Sequence, residues 1–263
     1  MPLLVSLLPA PTSADVTVVI DVLRFTTSAA FALANGARSV VPCETVDQAR
    51  AIAGSVTPDR CLLAGERDAL KPRGFDLGNS PLEFTPQAVQ DRDVAWTTTN
   101  GTRAIAVARS GWDRAAPRAA SASHAPEQGA GGRSSSRDLI LASYVNLKAV
   151  AALLEPRLRE DAVVAVACSG RDGGFALEDA ACAGALVRRL RATLGDALTM
   201  DDGARASACI DEAYGEDLAR LFRDAQHGRF LRDHGFGADL EACGALDTLP
   251  VVPRWRDGRL VAR

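Results

Sequence analysis

Short runs of β-branched and aliphatic residues recur along the chain, each separated from the next by a longer segment of helical period. Strands that alternate with helices bury themselves as a sheet covered by helices, so the chain reads as an α/β protein, three layers α/β/α around a largely parallel or mixed central sheet. The apolar opening from Met1 to Ala14 lacks a basic start and carries Pro2, Pro9 and Pro11, which suits a first strand and turn better than a signal peptide. Strands are expected at Val16 to Asp21, Ser39 to Pro42, Cys61 to Ala64, Val94 to Thr98, Asp138 to Leu141 and Ala162 to Ala167. Helices are expected up to Ala34 from a Thr26 or Thr27 cap, from Thr45 through Ala53, briefly after Thr85-Pro86, and from Asn100-Gly101-Thr102 to near Gly111. Others should cover Leu147 to Leu158, Leu177 to Leu194 and the chain from Asp201 to about Phe236, with closing strands at Leu249 to Val252 and Leu260 to Ala262.

One break interrupts the alternation. From Asp113 to Arg137 the sequence turns to Ala, Ser, Gly, Pro and Arg without periodicity, the signature of a flexible insertion in a single domain over residues 1–263. The net charge of -3 gives no basic field to collect nucleic acid or an anionic membrane. Six cysteines without a C-x-x-C pair argue against zinc or a disulfide scaffold and read as reduced, mostly buried thiols. No uncharged apolar run reaches the roughly 20 residues of a membrane span. Together these features point to a cytoplasmic protein, with a homo-oligomer left open. The only lysines are Lys71 and Lys148, so nearly every cation is an arginine, whose planar fork suits carboxylate, sulfonate or phosphate.

In such sheets ligands sit beyond the carboxyl ends of strands, where helix N-termini present free N–H groups to anions. Four segments fit that place. Asp21 to Thr27 delivers a carboxylate, Arg24 and the hydroxyls of Thr26 and Thr27 before a helix, although a capping Asp with a surface arginine would look the same. Gly65 to Glu83 is a long loop dense in charge and glycine, carrying Glu66, Arg67, Lys71, Arg73, Asp76, Asn79 and Ser80, more often a binding loop than filler. Thr97 to Arg103 sets Asn100, Gly101, Thr102 and Arg103 at a helix start, equally consistent with a plain capped turn. Cys168 to Asp179 combines glycines with Glu178 and Asp179 in a first helical turn, where acids also simply complement the helix dipole.

Familiar phosphate motifs are missing: there is no G-x-x-x-x-G-K-[ST] and no strand-following G-x-G-x-x-G. A cysteine phosphatase loop on Cys168 would need arginine where Gly174 stands, and a phosphoaspartate motif on Asp21 would need a second acid at Leu23. With only His124, His227 and His234, a serine triad is a poor fit. What remains is carboxylate-held Mg²⁺ acting on a phosphoryl group, with Asp21, Glu66, Asp76, Glu178 and Asp179 as candidate acids. His227 could protonate a leaving oxygen, though a lone histidine near a turn is more often structural.

At these same residues the chain resembles the 2-phosphosulfolactate phosphatase family. The shared patterns, in family order, are D-V-L-R-x-T at Asp21 to Thr26, G-E-R at Gly65 to Arg67, G-F-D-x-G-N-S-P at Gly74 to Pro81, T-T-N-G-T at Thr98 to Thr102 and F-x-L-E-D-x-x-x-A-G at Phe175 to Gly184. Asp113 to Arg137 departs from the family pattern. The resemblance implies an α/β three-layer fold and Mg²⁺-dependent hydrolysis of 2-phospho-3-sulfolactate to sulfolactate and phosphate, on the route to coenzyme M. That substrate carries carboxylate, sulfonate and phosphate, which would explain arginines around acidic metal ligands. On this reading Asp21, Glu66 and Asp76 hold the metal. Arg24, Thr26, Thr27 and Thr102 meet oxyanions alongside Arg67, Lys71, Arg73 and Arg103, and Glu178 or Asp179 activates water. A phosphatase for another phosphorylated hydroxy acid, or a non-catalytic phospho-ligand-binding protein, remains the alternative.

Overall fold

A computed structural model describes residues 1–56, 60–114 and 137–262. Among them ten strands form one mixed sheet, in the order β4-β5-β3-β10-β9-β6-β2-β7-β1-β8. The strands are β1 (Pro2–Ser6), β2 (Val16–Ile20), β3 (Ser39–Cys43), β4 (Cys61–Gly65), β5 (Asp93–Thr97), β6 (Asp138–Ala142), β7 (Val164–Cys168), β8 (Thr199–Met200), β9 (Arg254–Arg256) and β10 (Arg259–Val261). The helices among the described residues are α1 (Phe25–Ala34), α2 (Val46–Gly54), α3 (Pro86–Val89), α4 (Gly101–Arg114), α5 (Leu147–Arg159), α6 (Leu177–Leu194), α7 (Asp202–Tyr214), α8 (Leu218–Asp224), α9 (Gln226–Asp233) and α10 (Gly237–Cys243).

The sheet consists of two parallel blocks. β4, β5 and β3 make one; β6, β2, β7, β1 and β8 make the other. The β9–β10 hairpin joins them through antiparallel pairs, Leu260 with Val40 on one side and Ile140 with Arg254 on the other. Three successive antiparallel links set the blocks running in opposite senses. Five interstrand steps separate β5 from β2, and at roughly 20–25° of twist per step the strand directions rotate by about 100–125°. That rotation lets the loop after β5 approach the loop after β2.

Alternation along the strands assigns the faces. Val16, Val18 and Ile20 join the core built with α5 and α6, whereas Val19 joins the core with α1 and α4. Ile140 and Leu141 divide in the same way. In the smaller block Trp96 belongs to the α1/α4 core, where it stacks on Phe84, while Ala95 packs with Ala49 of α2. Helices therefore cover both faces, as the alternating pattern implies.

Two local expectations are corrected. Thr26 and Thr27 lie inside α1 instead of capping it: both are fully buried, and each hydroxyl donates to the carbonyl five residues earlier, Asp21 and Val22. Leu249 to Val252 is not a strand; the final hairpin begins at Arg254, because the extended segment before it spends its carbonyls on Asn146 and Leu141 instead of on a ladder. Helix α4 runs through Arg114, and most of the segment read as an insertion lies outside the described residues. Five of the cysteines are buried free thiols, and Cys209 is exposed. No described helix is long and apolar enough to cross a membrane.

Candidate active site

The loops after β2, β4, β5 and β7 meet α9 around a cleft of about 240 Å³. Asp21 forms its floor, fully connected at the backbone: its N–H donates to Thr26 Oγ1 (3.1 Å) and its carbonyl accepts from the same hydroxyl (2.7 Å). Gly101, the first residue of α4, lies against it. A Cβ at Gly101 would stand 2.5 Å from Asp21 Oδ2 and 2.6 Å from Phe25 Cδ1, so only glycine lets this helix start so close to the carboxylate. Burial pushes the Asp21 carboxyl up to about 7; His227 opposes the shift, and Glu66 and Glu178 add to it.

Glu66 enters from the end of β4, where Gly65 allows close contact with the Thr97 carbonyl. Its two carboxylate oxygens accept the Thr99 N–H (2.8 Å) and the Ala69 N–H (3.1 Å), which ties the β4 and β5 loops together. Asp179, at the start of α6, is spent in the same manner: it accepts from Val22 N–H (2.8 Å), Ser169 Oγ (3.0 Å) and Gly170 N–H (3.1 Å). Burial first, then the charges of Asp21 and Glu178, hold the Asp179 carboxyl well above the carboxylate range. Beside it, Glu178 Oε1 lies 3.4 Å from His227 Nδ1, with Glu178 almost fully buried.

Arg24 lines the cleft but is anchored behind it. Nη1 donates to Asp239 Oδ2 of α10 (2.6 Å), Nη2 donates to the Ala69 carbonyl (3.1 Å), and the guanidinium lies 4.3 Å from the Phe236 ring centroid. Asp239 also accepts from Ser80 Oγ (2.6 Å), so Ser80 serves this buried network. Asn79 is buried on the cleft wall, its carbonyl oxygen accepting from Ser28 Oγ while its side-chain Oδ1 has no partner among the described residues. Asn100 accepts the Asp172 N–H (3.1 Å), linking the β5 and β7 loops.

Of the residues singled out from sequence, Asp21, Arg24, Glu66, Asn79, Asn100 and His227 line the cleft, and Gly101 and Glu178 stand directly behind it. The others lie elsewhere. Asp76 is exposed and accepts the Leu63 N–H (2.8 Å), so the expected trio of Asp21, Glu66 and Asp76 does not converge. Lys71 donates to the Asp76 carbonyl, and Arg73 and Arg103 are exposed outside the cleft. Arg67 donates to the Glu66 carbonyl and to Thr97 Oγ1. Thr102 is buried in reciprocal bonds with Thr98.

Asp68, Thr98, Thr99, Arg171 and Asp172, which fall within the segments singled out from sequence but were given no role there, also line the cleft, and so do Phe230 and His234 from outside those segments. His227, Phe230 and His234 are spaced i, i+3, i+7, one face of a helix, and that spacing was the available signal.

The sequence profile of the 2-phosphosulpholactate phosphatase family matches residues 3–115 and 130–258. A relative from Pseudothermotoga lettingae is 37% identical over 256 residues, covering 97% of this chain and 96% of the relative. One from Symbiobacterium thermophilum is 38% identical over 247 residues, 94% and 93% of the two chains. One from Parasynechococcus marenigrum is 36% identical over 248 residues, 94% and 91%. All three bear the name "Probable 2-phosphosulfolactate phosphatase".

Proposed function

The chain belongs to the 2-phosphosulpholactate phosphatase family, and from that premise we propose that it is a Mg²⁺-dependent phosphoric monoester hydrolase converting 2-phospho-3-sulfolactate to 3-sulfolactate and inorganic phosphate. The observation that carries this reading is convergence. Residues from all five family patterns meet at one cleft: Asp21 and Arg24, Glu66, Asn79, Thr98 and Asn100, and Glu178 behind His227.

The donor set suits magnesium in a restricted way. Among the described residues no three His, Cys, Asp or Glu side chains converge as a ready-made cage. Mg²⁺ needs none: it keeps several waters and binds through one or two carboxylates plus substrate phosphate. Asp21 and Glu66 are the two buried carboxylates that line the cleft, and the elevated Asp21 pKa reflects buried negative charge that a divalent cation would offset. Bound there, the ion would neutralise phosphoryl charge and hold water near phosphorus.

The chain's own groups do the rest. Helix α4 starts at the Asp21 carboxylate, so its positive end faces the place where phosphoryl oxygens would sit. His227 is the proton donor to the C2 oxygen as the P–O bond breaks, and Glu178 holds its ring. Asp179 bridges the β2 loop to the β7 loop through three hydrogen bonds and so fixes the frame on which Asp21 and Glu178 stand.

Release of inorganic phosphate from 2-phospho-3-sulfolactate with Mg²⁺ tests the proposal. EDTA should abolish it and added Mg²⁺ restore it. No release from that compound, with release from phosphoglycerate or phospholactate instead, would move the substrate; no release from any of them would refute the enzyme reading.

A further inference from the structure

The cleft presents four basic side chains, Arg24, His227, His234 and Arg171. Three are already engaged. Arg24 gives both terminal nitrogens to Asp239 and Ala69, His227 faces Glu178, and His234 Nδ1 lies 2.7 Å from the Phe230 carbonyl. Arg171 differs. Its guanidinium carbon stands 4.3 Å from the centroid of the Phe230 ring, and among the described residues nothing hydrogen-bonds its terminal nitrogens. Its acidic neighbour is Asp172, whose Oδ2 is 3.5 Å from Nε and whose side chain is 70% exposed, too long and too solvated to occupy the fork. Asp68 also lines the cleft and is exposed on its rim.

An arginine stacked on an aromatic face is held in orientation but keeps its in-plane N–H groups free. The Phe230 ring is itself buttressed by His234 at 4.0 Å, so the platform belongs to α9 and its cap and is built independently of the arginine. Arg171 reaches the cleft from the turn after β7, remote from the metal carboxylates in sequence and attached to a separate loop. The substrate named above carries two anionic groups besides its phosphate. A sulfonate offers coplanar pairs of weakly hydrated oxygens, which match a guanidinium fork better than a compact ammonium.

We propose that Arg171, oriented by Phe230, is the specificity-determining residue that binds the sulfonate of the substrate, an inference that rests on the phosphatase reading above. Phe230 is a positioning residue in this scheme. It sets the plane of the guanidinium and touches no reacting atom.

Comparing 2-phospho-3-sulfolactate with 2-phospholactate, which keeps phosphate and carboxylate and lacks the sulfonate, separates the contacts. For Arg171→Gln, the loss of kcat/KM on the sulfonated substrate should exceed the loss on 2-phospholactate by roughly tenfold to a hundredfold, the worth of a charge-assisted pair. Phe230→Leu should raise KM for the sulfonated substrate and leave kcat largely in place, and Arg171→Lys should fall between wild type and Arg171→Gln. Equal losses on both substrates would assign Arg171 to phosphate or carboxylate and overturn the proposal; so would no loss on either. Calorimetric binding of 3-sulfolactate against lactate gives a readout free of turnover. If wild-type protein hydrolyses neither phosphoester yet binds 3-sulfolactate through Arg171, the phosphatase reading fails and this one stands. If Arg171→Gln binds 3-sulfolactate as tightly as wild type does, this one fails whatever the activity.

Discussion

Replacing Asp21 by Asn should stabilise the metal-free protein, and by an amount that depends on pH. Asp21 is buried and faces Glu66 and Glu178, and its carboxyl is pushed from an ordinary 3.8 to about 7. A raised acid pKa means that folding takes up a proton between those two values, so this group's contribution falls as pH rises through the window from about 4 to about 7. At about 1.4 kcal/mol per tenfold, ionised Asp21 costs the fold about 4 kcal/mol at pH 8. The neutral amide escapes that cost. Asp179, raised by burial and then by the Asp21 charge, relaxes in the same direction when that charge is removed. Urea unfolding in EDTA, run from pH 4 to pH 8 on both proteins, measures the difference directly. The gap in favour of Asp21→Asn should open with rising pH and reach several kcal/mol, on the order of 10 °C in Tm. Mg²⁺ should narrow it by stabilising the wild type alone. A gap that stays flat across the range, or one that favours wild type at pH 8 in EDTA, would refute the placement of Asp21 in buried, carboxylate-rich surroundings.

The remaining expectations concern turnover and packing. His227→Gln should lower kcat by about 10²–10⁴, the usual worth of a positioned acid, with KM little changed, and a kcat within a factor of two of wild type would remove His227 from the proton transfer. Gly101→Ala places a methyl group 2.5 Å from Asp21 Oδ2 and should lose activity together with about 1–3 kcal/mol of stability, read by thermal melting and by phosphate release. Asp239→Leu leaves the buried Arg24 without its partner and should cost about 3–5 kcal/mol. Adding Arg24→Met should recover part of that stability, which a double-mutant cycle would register as coupling. Asp76→Asn, by contrast, should keep Mg²⁺-dependent turnover within a few-fold of wild type, because that carboxylate serves Leu63 outside the cleft.

Much of the site was legible as sequence because its acids sit immediately after strands. Asp21 follows the apolar run of β2 and Glu66 follows β4, and residues at strand ends in an α/β protein face the ligand edge wherever the strands finally lie. Asp76 misled because a carboxylate in a glycine-rich loop can turn back onto its own strand, and the Leu63 N–H is what it found. Thr26 and Thr27 misled for a related reason: their hydroxyls satisfy carbonyls of the incoming chain, a local competition that composition does not reveal. Arg171, Phe230 and His234 were hidden because their meeting depends on α9 docking over the β7 loop, a contact between segments about sixty residues apart.

The sequence by itself determined the elements, the apolar faces and the order of the family patterns, since periodicity and strand-end chemistry are local properties carried by neighbouring residues. Only the tertiary structure decided which carboxylates share a cleft and which arginine keeps its fork open. Two opposed parallel blocks, joined by one hairpin and rotated by their accumulated twist, bring distant loops together, and burial there lifts the Asp21 carboxyl well above its ordinary range.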